Sequence, residues 1–238
     1  MTETTITAPE ETAYLADLIK LNRQRTATYG LLARMYRVEI DEEQLQAMKG
    51  MRFPAATGNA NTDKGYRLLS GYLSRAWDNT ILELAVDYVR VFMGNTNEID
   101  GAAFPYESVY TSEKRLRMQE ARDEVLAIYR AYGLDKAGDW KDAEDHVALE
   151  LEFMKVLCER IGEALEAGDE DEASRLLTTQ KNFLDDHLNS WVPMLTADMR
   201  HFAKTDFYLA LSYLTDGFLA AEQEFLTDVL SDDEDGEE

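Results

Sequence analysis

The chain is poor in the residues that carry most bound chemistry. Cys158 is its only cysteine, so no intramolecular disulfide can form. Inside an apolar helical pattern that thiol reads as a small buried hydrophobe rather than a nucleophile. There are three histidines, His146, His187 and His201. Three positions before them stand Ala143, Leu184 and Asp198, so the paired Glu-x-x-His pattern of a di-iron bundle is absent. His146 and Glu150 share a helix face at i, i+4, and with no third ligand in view they read as a structural hydrogen-bonded pair. The sequence holds no His-Glu-x-x-His, no phosphate-cradling loop and no Gly-x-Ser-x-Gly elbow. Nothing pairs a nucleophile with a base. The expectation is a binding protein with no cofactor and no metal of its own; a metal-binding helical enzyme is the alternative from another class.

Long apolar runs are also missing. No stretch approaches the ~20 residues needed to span a bilayer, so no stable membrane insertion is expected. Met1 to Pro9 has neither the basic nor the apolar region of a secretory signal, which makes the cytoplasm the expected compartment. Basic residues are scarce too. Lys and Arg number 24 against 47 Asp and Glu, a formal net charge of −23. That excess repels phosphate backbones and anionic lipid, which argues against nucleic acid and membrane as partners and favours a basic one.

Four prolines in 238 residues leave long stretches free to be helical. The apolar spacing predicts helices over about 11–38, 41–49, 63–77, 79–93, 111–132, 147–167, 169–188, 191–202 and 205–229. In the first, Tyr29, Leu32, Ala33 and Tyr36 form one stripe and Leu31, Met35 and Val38 a second, so burial on two sides is expected. The fourth carries Leu82, Val86, Val89 and Met93 at helical spacing, with Gly94 as its stop. Val147, Leu151, Met154, Cys158, Ile161 and Leu165 keep one face for five turns before Gly168. No segment alternates with strand period. The expected fold class is all-α, a bundle of about nine helices over residues 11–230. Residues 1–10 and the acidic tail 231–238 are expected to be disordered.

Two segments stand out as binding candidates. Gly94 to Tyr110 does not read as helix and carries Phe104, Tyr106 and Tyr110; aromatic loops between buried helices are where binding groups concentrate. Asp145-His146 stands at the mouth of the clearest helix, behind a glycine-bearing connector. Asp145 is placed to cap that helix, and His146 in its first turn is expected to be neutral.

Six pieces in order then resemble one family. Tyr29-Gly-Leu-Leu-Ala-Arg-Met-Tyr36, Asp87-Tyr-Val-Arg-Val-Phe-Met-Gly94, Pro105-Tyr-Glu-Ser-Val-Tyr110, Glu144-Asp-His-Val-Ala-Leu-Glu-Leu-Glu-Phe-Met154, His187-Leu-Asn-Ser-Trp-Val-Pro193 and Phe207-Tyr208 are similar to the TorD/DmsD family of redox-enzyme maturation chaperones. The resemblance spans roughly residues 20 to 226. It implies a cytoplasmic chaperone, not an enzyme, that binds an apo molybdopterin-dependent oxidoreductase through its twin-arginine leader peptide or N-terminus, so that cofactor insertion precedes export. A non-exported molybdoenzyme subunit is the alternative client. The family motif Glu-Pro-x-Asp-His reads here Asp142-Ala143-Glu144-Asp145-His146, keeping Asp-His and losing the proline. Carried over by position, the resemblance implies a hinge at Asp142, Ala143 and Glu144, within a connector near 133–146 between two halves. It implies peptide-binding residues Asp145, His146, Tyr88, Phe92, Pro105, Tyr106, Ser108 and Tyr110. Carboxylates would pair with leader arginines, while rings bury its apolar stretch and stack on guanidinium. Either a monomer or a domain-swapped dimer is compatible with such a hinge.

Overall fold

Helix termini in this chain are written in short polar signals, and the computed structural model, which describes residues 8–94, 101–138 and 140–234, shows them in use. The first helix, α1 (Ala8–Arg37), is followed by α2 (Glu42–Lys49). Asp41 caps α2 by accepting from the Gln44 amide at 2.8 Å. Asn59 does the same for α3 (Ala60–Ser74), holding the amides of Asn61 and Thr62 at 3.0 Å. Each cap satisfies amides that have no partner within the helix. Then come α4 (Thr80–Tyr88), α5 (Glu107–Thr111), α6 (Glu120–Ala131) and α7 (Val147–Ala167). Gly168, in the left-handed conformation at φ 72°, ends α7, and Asp169 caps α8 (Glu170–Phe183). Finally α9 (Asn189–Phe202) leads to α10 (Asp206–Glu234).

Two helices widen into π-helical turns. Val89–Met93 extends α4, and the Gly94 amide closes it by donating five residues back to the Val89 carbonyl at 2.9 Å. Leu184–Leu188 joins α8 to α9 without a break. Pro193, expected in the first turn of a separate helix, therefore lies inside one rod that runs from 170 to 202. Its missing amide cannot serve Asn189, and the wide turn just upstream fits the tendency of π turns to accommodate such faults. Counted as continuous rods, the described residues form nine helices and no strand, as expected from the period of the apolar residues.

In the packing, α1 lies along α7 and α10 along α3. Gly217 permits the second crossing: a Cβ there would stand 2.8 Å from the Thr62 amide nitrogen. Trp191, Tyr29, Tyr36 and Tyr208 are the largest fully buried side chains. One buried polar cluster ties α1, α7, α8 and α10 together. The Arg25 guanidinium meets Glu222 at 2.8–3.0 Å and Gln180 at 2.7 Å, and Tyr29 donates to the same Glu222 at 2.8 Å. Gln180 in turn donates to the Cys158 thiol at 3.0 Å, and burial pushes that thiol up to about 11, so Cys158 is the inert core residue expected.

Several expectations need correction. Ala8–Glu10 are helical; residues 1–7 lie outside the described residues. The tail was expected to be disordered from 231, yet α10 continues to Glu234, and 235–238 lie outside the described residues. In α1, Leu31 and Val38 are exposed and only Met35 of the second stripe is buried. The predicted helix over 111–132 begins only at Glu120, because Arg115 and Met118 adopt positive φ and the Gln119 amide turns back to the Ser108 hydroxyl at 3.1 Å. Such φ values break a helix for residues with a side chain. Conversely Glu107–Thr111, inside the segment expected to be non-helical, makes one short helix. The expected loop 94–110 is described only at Gly94 and from Gly101 onward.

Candidate functional site

Two predicted segments, far apart in sequence, meet at the start of α7. Tyr106 and His146 form an isolated antiparallel bridge. On one side of it the Val147 amide donates to the Pro105 carbonyl at 3.0 Å, and on the other the Glu107 amide donates to the Asp145 carbonyl at 2.9 Å. The Ser108 amide completes the seam by donating to Asp145 Oδ2 at 2.9 Å. Asp145 thus caps α5 across the fold, not α7 as expected. The cap of α7 is His146, whose Nδ1 accepts from the Ala148 amide at 3.0 Å. A ring nitrogen that accepts must be unprotonated, and burial holds the imidazole down to about 4, with Arg117 adding and Asp142 opposing. Neutral histidine was the expectation; desolvation leads as its cause. The imidazole packs edge-on against Tyr106 and Trp140 at 5.0 and 5.3 Å.

The residues expected to form a hinge are held by side chains. Tyr106 Oη donates to Asp142 at 2.6 Å and Lys136 Nζ to the Asp142 carbonyl at 2.9 Å. Burial pushes the Glu144 carboxyl up, but hydrogen bonds from Arg122 (2.5 Å) and Lys136 (3.0 Å) outweigh it and bring it down to about 2. Ala143, where the family motif has proline, accepts from the His146 amide at 3.3 Å.

Tyr88 and Phe92 sit in a second cluster with Tyr36 and Tyr208. Phe92 meets these three rings at 5.0–5.8 Å, and Tyr88 donates to the Tyr36 carbonyl at 3.0 Å. The Ala103 amide joins the clusters by donating to the Val91 carbonyl at 2.7 Å. Burial pushes Tyr88 up to about 12, and nearby Asp142 adds to the rise. Tyr110 stacks on Trp191 at 5.6 Å and donates to Asp198 at 3.0 Å.

The residues implied by the resemblance therefore fall into two clusters linked by the Ala103–Val91 hydrogen bond, with Tyr110 beside Trp191, and few of them face solvent. Asp145 and Ser108 are fully buried, and His146, Tyr106, Phe92, Tyr88, Pro105 and Glu144 are buried. Tyr110 and Ala143 are half-buried, and only Asp142 is exposed. Asp145 Oδ1 has no hydrogen-bond partner.

Sequence reasoning missed two neighbouring groups. Beneath the seam, Glu150 turns away from His146, contrary to the expected pair, and accepts from Trp191 Nε1 at 3.0 Å. Burial first and the Glu107 charge second push the Glu150 carboxyl well up. Its second oxygen, Oε1, has no hydrogen-bond partner, and Glu107 meets His187 Nδ1 at 3.1 Å. An acid within an apolar stripe was the available signal. Beside the connector, Arg34, Arg37, Val38, Trp140, Lys141 and Asp142 line a cleft of about 560 Å³. Three of those six are cations, clustered by the fold from two distant segments. Among the described residues no group of three His, Cys, Asp or Glu is arranged for a metal ion. No described helix is long and apolar enough to cross a membrane.

Residues 58–197 match the model of the nitrate reductase delta subunit family. The chain belongs to this family, that of the TorD/DmsD redox-enzyme maturation chaperones. It is a family of chaperones, not of enzymes. Relatives include the chaperone protein TorD of Vibrio parahaemolyticus, 26% identical over 86% of this chain and 95% of that one. TorD of Aliivibrio salmonicida is 23% identical over 88% and 98%. A solved structure of a proposed redox enzyme maturation protein from Archaeoglobus fulgidus superposes at TM-score 0.47 and 18% identity, covering 85% of this chain and 93% of that one. The seam at Tyr106 and His146 is assembled from the Pro105–Tyr110 and Asp142–His146 pieces that carried the resemblance.

Proposed function

We propose that this chaperone acts in the cytoplasm on an apo molybdoenzyme, binding the basic, apolar leader peptide at the enzyme's N-terminus until its cofactor has been inserted. The observation that carries this reading is the seam itself. It joins the Pro105–Ser108 and Asp142–His146 segments and leaves Asp145 with a buried carboxylate oxygen that has no donor. An unmet buried acceptor is costly, and a leader guanidinium supplies the charge-assisted partner that removes the cost. Because Asp145 is fully buried, the guanidinium reaches it only when the connector 133–146 opens as a hinge between two halves. The same hinge would let two chains exchange halves, giving a domain-swapped dimer in place of a monomer. The formal charge of −23 favours capture of a basic segment at long range.

The test is calorimetric titration of the full chain with leader peptides of the molybdoenzymes encoded in the same genome. Binding to at least one, weakened in Asp145→Ala and His146→Ala while helical circular dichroism persists, is the expected result. No heat with any of them would sink the proposal. Loss of helicity in both variants would reassign these residues to the fold alone.

A further inference from the structure

The stripe Leu82, Val86, Val89 and Met93 has the spacing of a buried helix face, and the fold turns it outward. Leu82 is 64% exposed, Val86 50% and Met93 61%, with Val89 half-buried between them. The core is served instead by Leu84, Tyr88, Val91 and Phe92 on the opposite side. A cleft of about 310 Å³ lined by Glu39, Ala85, Val86, Val89 and Arg90 runs beside the stripe, and Val38, next to Glu39, adds a further exposed apolar side chain at 42%. Single exposed apolar residues need no explanation, but a contiguous row along three turns marks a contact surface.

Charge decides what covers it. Glu39, Asp78 and Glu83 are all exposed around or along α4. Of the cations nearby, Arg90 is held by the buried Asp87 carboxylate at 2.5 Å, Arg34 by Asp41 and Arg75 by Asp206, which leaves Lys204 beside Glu83 against the three acids. The rim is therefore acidic, which suits an apolar segment with basic flanks. A second copy of this chain is disfavoured, since both copies carry −23 and would bring like-charged rims together. The connector cleft is the poorer place for leader arginines, because Arg34, Arg37 and Lys141 line it.

We propose that the outward face of α4 and its π turn is the docking surface for the apolar stretch of the leader, with the leader's basic flank against Glu39 and Glu83. The stretch lies on the row as an amphipathic helix packs its apolar positions against a partner. This rests on the leader-binding reading and adds α4 to the buried seam, which takes a leader guanidinium at Asp145 while the basic residues beside the apolar stretch face Glu39 and Glu83.

The test uses the full chain and a synthetic peptide of two arginines followed by about twelve alternating leucines and alanines, roughly three helical turns. A second peptide replaces each leucine by serine. Fluorescence anisotropy should show the wild-type chain binding the leucine peptide, and Leu82→Ser/Val86→Ser binding it about tenfold more weakly or worse at unchanged circular dichroism. If that double variant does not fold, the 61%-exposed Met93→Ser carries the same expectation. Equal binding by wild type and variant overturns this surface and leaves leader binding standing. No binding by the wild-type chain overturns both. An equal loss of affinity for the serine peptide overturns the apolar contact, and a wild-type dimer that the variant splits assigns the face to a second copy instead.

Discussion

His146 and Glu150 sit one helical turn apart at the head of α7, and burial moves their titrations in opposite directions. The imidazole falls to about 4 from 6.5, while the carboxyl rises well above 4.5. Between those ordinary and shifted values the linkage signs are opposed. At a pH below 6.5 and above about 4 the unfolded chain binds the His146 proton and the folded chain does not, so stability rises with pH. Above 4.5 the folded chain keeps the Glu150 proton and the unfolded chain has lost it, so stability falls with pH. Each slope amounts to about 1.4 kcal/mol per pH unit. In the wild type they cancel, so stability between about pH 5 and pH 6 should be nearly level with respect to this pair.

Each variant should unmask the other group. Glu150→Gln keeps an amide oxygen that can accept from Trp191, and it removes the proton. Urea unfolding followed by circular dichroism should then show stability climbing by about 1.4 kcal/mol per pH unit through that interval. His146→Asn keeps a good capping side chain for the Ala148 amide, and its stability should decline at the same rate. The double variant should be level again. Glu144 does not disturb the comparison, because Arg122 and Lys136 place its titration near 2. Two single variants with parallel profiles would refute the reasoning, since they would show that at least one of the groups keeps its ordinary value.

Other expectations follow from single contacts. Glu222→Ala strands the Arg25 guanidinium, only 4% exposed, and should cost about 3–5 kcal/mol by chemical denaturation. Gly217→Ala drives a Cβ to 2.8 Å from the Thr62 amide nitrogen; a loss of about 1–3 kcal/mol in the same assay is expected from overpacking at the α3–α10 crossing. Asp145→Ala removes the acceptor of the buried Ser108 amide and should cost about 1–3 kcal/mol, with hydrogen exchange at α5 rising before that of α7. Unchanged protection at α5 would show that Asp145 does not hold it.

The helices were legible because each signal was local. Asp41 and Asp169 cap within three residues, Gly168 stops α7 by its own φ, and the stripe from Val147 to Leu165 repeats every turn. Asn59, by contrast, caps a helix that starts at Ala60 and not at the expected Asp63. The other failures depended on partners remote in sequence. The Asp145 carboxylate looked like the cap of its own helix and became that of α5, because the bridge between Tyr106 and His146 sets the register of the two segments. Glu150 was one turn from His146, yet the indole of Trp191, 41 residues onward, took its carboxylate. The α4 row obeyed the helical period and still faced outward, since period fixes which residues share a face and not which face is covered. The family pieces located the seam, but sequence could not show that it is closed.

The proline missing at Ala143 sharpens that point. A proline stiffens a connector by fixing one φ angle, whereas here three of the five residues are held by side-chain contacts with residues outside the motif. Tyr106 holds the Asp142 side chain, Lys136 the Asp142 carbonyl and the Glu144 carboxylate, Arg122 the other Glu144 oxygen, and Ser108 the Asp145 side chain. Restraint by contacts differs from restraint by a ring in being reversible. Lys136 and Arg122 can be drawn off by a competing anion or screened by salt, and once they leave, the Glu144 carboxyl loses the bonds that hold it low and the connector loses its grip on α6. If the connector is the proposed hinge, it should open more readily as ionic strength rises, while the Arg25–Glu222 cluster, sealed from solvent, stays shut. Hydrogen exchange at residues 142–147 compared between low and high salt, with α1 as the internal reference, reads that difference directly; equal change in both would place the restraint in packing and not in charge.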